Sequence, residues 1–359
     1  MDSTFMRAVR ARTDAAIASG DLQPIVADQV VIHDAGLPFT VRWVAGLAAK
    51  DAARTGATSG AASGATSGSA SGSALGTSSG AASGSASDAS TGAASGTVST
   101  TSTAASTTSG SNAASATILP GGPRNPNFNP FLPPDPALTV GPLGEHHNVV
   151  LNKFPVCLHH LVLARREFAE QLSPLEHIDF LVLAAVISDA GGLGFYNGGA
   201  AAGASQRHKH VQWIPQAEGN ASLRHLAAGL PAATAPGGLA RHPGLPMRHR
   251  FVRVEAGRGC DAEAAARSMH EAFGRACEAL GLAPDEDGLL PPCNMLVGDG
   301  WMLVLPRSRE HFEGVSLNAL SYGGTVYVRD PAQIDAIRAA GPLEALARVG
   351  VPEPATAGA

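Results

Sequence analysis

The tightest constraint on what this chain can fold into is a stretch that cannot build a core. Residues 55–116 are almost wholly Ala, Gly, Ser and Thr, with no aromatic residue and only Leu75 and Val98 as larger aliphatics. Ordering a residue costs roughly 1 to 2 kcal/mol of conformational entropy. Side chains this small bury too little apolar surface to offset that cost. Residues 55–117 therefore read as a flexible insertion, and whatever folds must be built from residues 1–54 and 118–350.

Charge and residue usage narrow the partners. The formal net charge of -5, with basic residues scattered rather than blocked, argues against a nucleic-acid partner but leaves small anionic substrates open. Of the 25 basic residues only Lys50, Lys153 and Lys209 are lysines. A compact ammonium suits point contact with phosphate; chance survival in an arginine-biased chain is the competing reading. Cys157, Cys260, Cys277 and Cys293 form no C-x-x-C pair and no metal spacing with histidine, so neither a disulfide framework nor a zinc finger is expected. The N-terminus carries Asp2, Arg7, Arg10 and Arg12 without an apolar core, unlike a secretory signal. No run approaches the ~20 apolar residues of a membrane span. A reducing cytoplasm, without membrane association, fits best.

Periodicity predicts an opening helix to about Ser19, then strands at 26–33 and 39–44. Residues 120–142 are rich in proline, glycine and asparagine and read as an irregular lead-in. Apolar runs at 147–152 and 158–164 are too short for helices and read as strands. Ser173-Pro174-Leu175-Glu176 predicts a helix N-terminus capped by Ser173 and running to about Asp189, stopped by Gly191 and Gly192. Further strands are expected at 193–197, 248–254, 295–297, 301–305 and 325–328, with helices at 261–280 and 331–340. In the second of the long helices Met269, Phe273, Cys277 and Leu280 fall at core spacing. Strands and helices mix without strict βαβ alternation, so the expected fold class is α+β.

The chemistry concentrates in Ser205-Gln206-Arg207-His208-Lys209-His210-Val211-Gln212. If this segment is extended, His208, His210 and Gln212 share one face while Lys209, Val211 and Trp213 take the other. A neutral imidazole can attack phosphorus, and an amide can donate to an oxygen that gains charge. The small-residue loop just before it, residues 198–205, lets backbone approach a ligand and offers N–H groups to phosphates. Two other readings stand beside this one. His-x-His on a strand is a common metal-ligand pair, although no third ligand lies nearby in the sequence. The histidines can also be strand residues without a role.

Asn129-Pro130-Phe131, Leu151-Asn152-Lys153-Phe154-Pro155, Phe195-Tyr196-Asn197, Gly203-Ala204-Ser205-Gln206 and His208-Lys209-His210-Val211-Gln212 together resemble the diadenosine tetraphosphate phosphorylases, or ATP adenylyltransferases. These form the transferase side of the histidine triad superfamily. Asn294-Met295-Leu296, Trp301-Met302, Val304-Leu305-Pro306-Arg307 and Gly323-Gly324 extend the resemblance over nearly all the foldable chain.

The resemblance implies a histidine-triad-like antiparallel sheet with flanking helices, in two halves and interrupted by the insertion. Residues 1–54 would begin the nucleotide-binding domain, 118–217 would carry the histidine motif, 218–246 would connect, 247–350 would form a C-terminal adenylyltransferase-like domain, and 351–359 would be a tail. It implies that His210 attacks the α-phosphate of a dinucleoside polyphosphate and becomes adenylylated, that Gln212 contacts the phosphoryl oxygens, and that His208 helps place His210. Lys50, Asn152, Lys153, Asn197, Gly203, Ala204, Ser205, Gln206 and Asn294 would hold nucleotide and phosphates. The long insertion departs from the family and separates Lys50 from the other motifs. The implied small molecules are diadenosine tetraphosphate, ATP, ADP and phosphate, with a divalent cation such as magnesium accompanying the polyphosphate and no protein-bound structural metal. A hexose-1-phosphate uridylyltransferase-like enzyme is a second reading, although Lys209 stands where those enzymes have proline. A catalytically silent binding module for dinucleoside polyphosphates is a third.

Overall fold

The structure is a computed structural model and describes residues 3–22, 27–44, 129–216 and 222–353. Lys50 and the insertion at 55–117 lie outside the described residues. The strands are β1 (Ala27–Asp34), β2 (Leu37–Val44), β3 (Thr139–Leu143), β4 (His147–Leu151), β5 (Leu161–Arg165), β6 (Leu193–Gly198) and β7 (His210–Ile214). They continue with β8 (Leu239–Ala240), β9 (Arg250–Arg253), β10 (Cys293–Gly298), β11 (Trp301–Pro306), β12 (His311–Phe312), β13 (Val315–Ser316) and β14 (Thr325–Val328). The helices are α1 (Thr4–Ser19), α2 (His177–Ala190), α3 (Arg224–Ala227), α4 (Ala262–Leu280), α5 (Ala319–Tyr322), α6 (Ala332–Ala340) and α7 (Pro342–Val349). None of the described helices is long and apolar enough to cross a membrane.

Nine strands form one sheet in the order β3-β4-β5-β7-β6-β10-β11-β9-β8, every neighbouring pair antiparallel. Strands before and after residue 217 meet in this sheet through β6 and β10, with Asn197 facing Asn294 in register. A smaller sheet, β1-β2-β14, pairs β2 and β14 in parallel. The chain is thus α+β, built on a large antiparallel sheet with flanking helices.

Strand alternation decides what each face does. On β5 and β7, Leu161, Leu163, Val211 and Trp213 point into the core under α1, α2 and α4. Fully burying a side chain such as Leu or Val contributes about 1.5 to 3 kcal/mol, so register on this face is strongly specified. Val162 and Ala164 face the other way and pack with Phe131. A second core lies between the large sheet's C-terminal half and the small sheet, with α6 and α7.

Local signals explain most element ends. Ser3 accepts from the Met6 N–H at the start of α1 and left-handed Gly20 ends it; Asp261 caps α4 in the same way. The start of α2 corrects the sequence expectation. Ser173 Oγ donates to the Glu170 carbonyl instead of capping, and the helix begins three residues later with a Glu176–Asp179 capping box. The irregular lead-in also contains β3, a strand whose proline and glycine hid it; it sits at the sheet edge, where such residues are tolerated.

Candidate active site

The face of the sheet opposite α2 opens into a cavity of about 520 Å³, within the size range of small-molecule sites. His210 and Gln212 of β7 line it, as do Asn152, Lys153, Asn197, Gly203, Ser205 and Gln206. The sequence motifs, spread over sixty residues, thus converge on one space. His208, Ala204 and Asn294 do not reach it, and all three are buried.

The two histidines have different surroundings. Nδ1 of His210 lies 2.8 Å from the carbonyl oxygen of His208. A carbonyl only accepts, so Nδ1 carries the proton and the neutral ring keeps its lone pair on Nε2. His208 is satisfied on both sides. Its Nε2 donates to the Arg165 carbonyl at 2.7 Å, and its Nδ1 accepts from the Asn129 amide at 3.0 Å. Asn129 Oδ1 is engaged by the Phe131 N–H, which fixes the orientation of that amide. Burial lowers the His208 pKa from its usual value of 6.5. The Phe131 ring stands 5.7 Å from the His208 ring and 5.3 Å from the His210 ring, which helps shield His208 from the cavity. The common face expected from alternation is therefore present for His210 and Gln212. His208 lies before the strand, in an isolated bridge with Glu170, and supplies its backbone carbonyl to His210.

Gln212 is oriented by His160. The Val156 N–H donates to His160 Nδ1, so Nε2 bears the proton and donates to Gln212 Oε1 at 2.9 Å. The glutamine Nε2 is left to donate. His160 itself lines the cavity. No motif in the sequence singles it out, and nothing local distinguishes it from the neighbouring His159. Asn152 packs its amide at 3.3 Å from His160 Nδ1 and uses its oxygen to accept from the Phe154 N–H. Lys153 is exposed at the rim.

A relay from the C-terminal half fixes Asn197. Its Oδ1 accepts from Asn294 Nδ2 at 2.9 Å and from the Ala319 N–H at 3.0 Å, so its own amide nitrogen is the donor that remains. Asn294 is fully buried; it also donates to the Ala202 carbonyl and accepts from Arg307 at 2.5 Å. Arg307 in turn donates to the carbonyls of Val349, Arg309 and Leu317. Asn294 thus supports the cavity from behind.

The small-residue loop is less open than its composition suggests. Residues Ala200–Ala202 form a 3-10 turn, and the N–H groups of Ala202, Gly203 and Ala204 donate back to Gly199 and Ala200. Ser205 and Gln206, both on the cavity wall, are the positions of the loop that offer donors. Gly203 has φ +90 and a Cβ there would stand 2.8 Å from Asn318 Cβ, so the turn requires glycine.

Behind β7, on the face away from the cavity, Lys209 is buried and donates to the carbonyls of Ser173 and Pro174 at 2.6 Å each. Burial lowers its pKa to about 8. The phosphate-contact role open to this lysine in the sequence is excluded by that position. Asp179 accepts from Arg165 Nε at 2.6 Å and faces His147 at 3.2 Å. Glu310, Ser316, Asn318, Tyr327, Arg329 and Gln333 also line the cavity; none stands in a motif legible in the sequence. Among the described residues no group of three His, Cys, Asp or Glu side chains is arranged to hold a metal.

The fold and cavity define an α+β protein with a small-molecule site on one face of its large antiparallel sheet. Residues 1–67 and 108–226, more than half the chain, match the Ap4A phosphorylase N-terminal domain, and residues 243–352 match the ATP adenylyltransferase C-terminal domain. The chain belongs to the Ap4A phosphorylase (ATP adenylyltransferase) family. It is 35% identical over 105 residues to diadenosine 5',5'''-P1,P4-tetraphosphate phosphorylase 2 of Saccharomyces cerevisiae and 32% identical over 102 residues to Protein APA1 of the same yeast. Each match covers 25% of this chain and 32% of the relative, so the chain spans about a third of the length of the curated relatives it matches. The fold is that of the crystal structure of yeast Ap4A phosphorylase Apa2, with a TM-score of 0.65 at 20% identity over 100% of this chain and 97% of that one. The crystal structure of the same yeast enzyme in complex with Ap4A gives 0.64 at 19% identity, covering 99% of this chain and 100% of that one.

Proposed function

We propose that the protein phosphorolyses diadenosine tetraphosphate to ATP and ADP through an adenylylated His210. The observation that carries this is the hydrogen bond from His210 Nδ1 to the His208 carbonyl, which commits the ring's lone pair to Nε2 beside a cavity rich in donors. The family membership and the nucleotide complexes of the yeast relative, one with AMP and one with Ap4A, support the substrate class.

In the first step Nε2 forms a bond to the α-phosphorus and the bond from that phosphorus to the bridging oxygen breaks. ATP leaves with the electron pair. In the second step an oxygen of inorganic phosphate attacks the same phosphorus, the N–P bond breaks, ADP departs, and His210 is restored. The Gln212 amide, turned by His160, donates to the phosphoryl oxygens as charge moves onto them. Lys153, Asn152, the Asn197 amide, Ser205 and Gln206 hold the polyphosphate and nucleoside. A divalent cation would enter with the polyphosphate and screen its charge.

The experiment is product analysis with and without phosphate. ATP plus ADP, formed only when phosphate is present, is the expected result. Products of hydrolysis that form regardless of phosphate would contradict it, as would binding without turnover.

A further inference from the structure

We infer that Gln171, outside the cavity, is the positioning residue that sets His210 against Asn197. The ladder between β6 and β7 pairs Leu193 with Ile214, Gly194 with Trp213 and Phe195 with Gln212, and there it stops. Both strands run on, β6 to Gly198 and β7 back to His210. Continuing that register would bring the backbones of Asn197 and His210 opposite each other. The Gln171 side chain sits between them instead. Its Oε1 accepts from the His210 N–H at 2.8 Å, and its Nε2 donates to the His210 carbonyl at 3.1 Å and to the Asn197 carbonyl at 2.9 Å.

A carboxamide carries the same acceptor and donor pair as a peptide group. One glutamine side chain can therefore stand in for a strand residue while holding the two strands apart. The two strand ends diverge where the cavity needs room for His210 and Asn197 to line it together.

The residue is itself held. The Gln171 N–H donates to the Arg207 carbonyl at 2.6 Å, and the Lys209 N–H donates to the Ala169 carbonyl at 2.8 Å. Residues 169–171 thus run beside 207–209 as a backbone partner, and the Gln171 side chain extends that partnership by one residue to His210. Tyr196 Oη donates to the Gln171 carbonyl. Gln171 is buried, so each group it satisfies would otherwise be a buried polar orphan. Glutamate supplies no donor and would aim charge at two carbonyls. Methionine keeps the length but loses all three bonds.

The turnover arm of the test rests on the phosphorolysis reading. Gln171→Met and Gln171→Glu are compared with the unaltered protein for kcat and KM on diadenosine tetraphosphate and for amide hydrogen exchange at His210. Small misplacements of reacting groups cost on the order of 100-fold, so kcat should fall by roughly that factor while KM changes less than about threefold. His210 should lose exchange protection while Trp213, still laddered, keeps it. A folded Gln171→Met protein with unchanged kcat and unchanged His210 protection would overturn the inference, even if its melting temperature fell. If neither variant folds, the unaltered protein decides: the Gln171 side-chain amide protons should exchange slowly, and exchange as fast as in an exposed glutamine would overturn it. Absence of turnover in the unaltered protein would defeat the phosphorolysis reading and leave the exchange arm to judge Gln171.

Discussion

His208 and His210 are two residues apart and chemically alike, yet hydrogen bonds give them different work. His210 receives its tautomer from a backbone carbonyl, whereas His208 has both ring nitrogens engaged. Removing the His208 side chain therefore leaves the carbonyl that orients His210 in place. His208→Ala should lower kcat by about 10- to 100-fold, the range of a positioning contribution below that of a full acid–base catalyst, and should retain adenylylation; steady-state and single-turnover rates check this. Acid acts through the same residue. A protonated His208 would turn a second N–H toward the Asn129 amide donor, and burial holds its pKa below 6.5. With the folded pKa depressed, this contribution to stability is present above 6.5 and is lost as pH falls through the folded value. At this scale the sequence was informative about identity and silent about partners. The alternation of β7 predicted that His210 and Gln212 share a face. How the His208 ring is held depends on Arg165, Asn129 and Phe131, residues that no spacing connects to it.

At the scale of elements, β7 is a two-sided strand whose rear face anchors the front. Lys209 reaches the carbonyls ahead of α2, and Arg165 on β5 grips Asp179 in its first turn. Burial alone would raise the Asp179 pKa, but hydrogen bonds from Arg165 and His147 outweigh it and hold the carboxyl well below the usual carboxylate range. Breaking a buried pair by removing one partner costs about 3 to 5 kcal/mol, so Asp179→Ala should destabilise the fold by that order in denaturant melts. The depressed pKa places this stabilisation above the ordinary carboxyl value of 3.8; it is lost as pH falls below that, and the variant should show a flatter acid limb than the parent. Local signals made α1, α4 and β14 legible. The start of α2 was not, because the Ser173 carbonyl and the Pro174 carbonyl are drawn to Lys209 from a distant strand and Glu176 takes over as cap. The loop at 199–204 misled in the other direction. Its glycines suggested an open anion nest, but a 3-10 turn engages the N–H groups of Ala202, Gly203 and Ala204.

For the whole molecule, the site is assembled across the meeting of β6 and β10. Asn197 comes from one half, and Asn294 and Arg307 from the other, so the polar relay behind the cavity crosses between them. The sequence exposed the residues that sit in compact motifs between Asn152 and Gln212. It did not expose Tyr327 or Arg329, which belong to a strand of the small sheet and the residue after it and reach the cavity wall only through tertiary packing. The Gln171 side chain and the His208 carbonyl hold His210, and Gln212 and Asn197 line the same cavity beside it. The most direct measurement of the central claim is a rapid quench of the protein with adenine-labelled diadenosine tetraphosphate in the absence of phosphate. Label should appear on His210 as an acid-labile adenylyl group with release of ATP, be chased to ADP when phosphate is added, and be absent from His210→Ala. Acid-labile labelling that persists in His210→Ala would contradict the account.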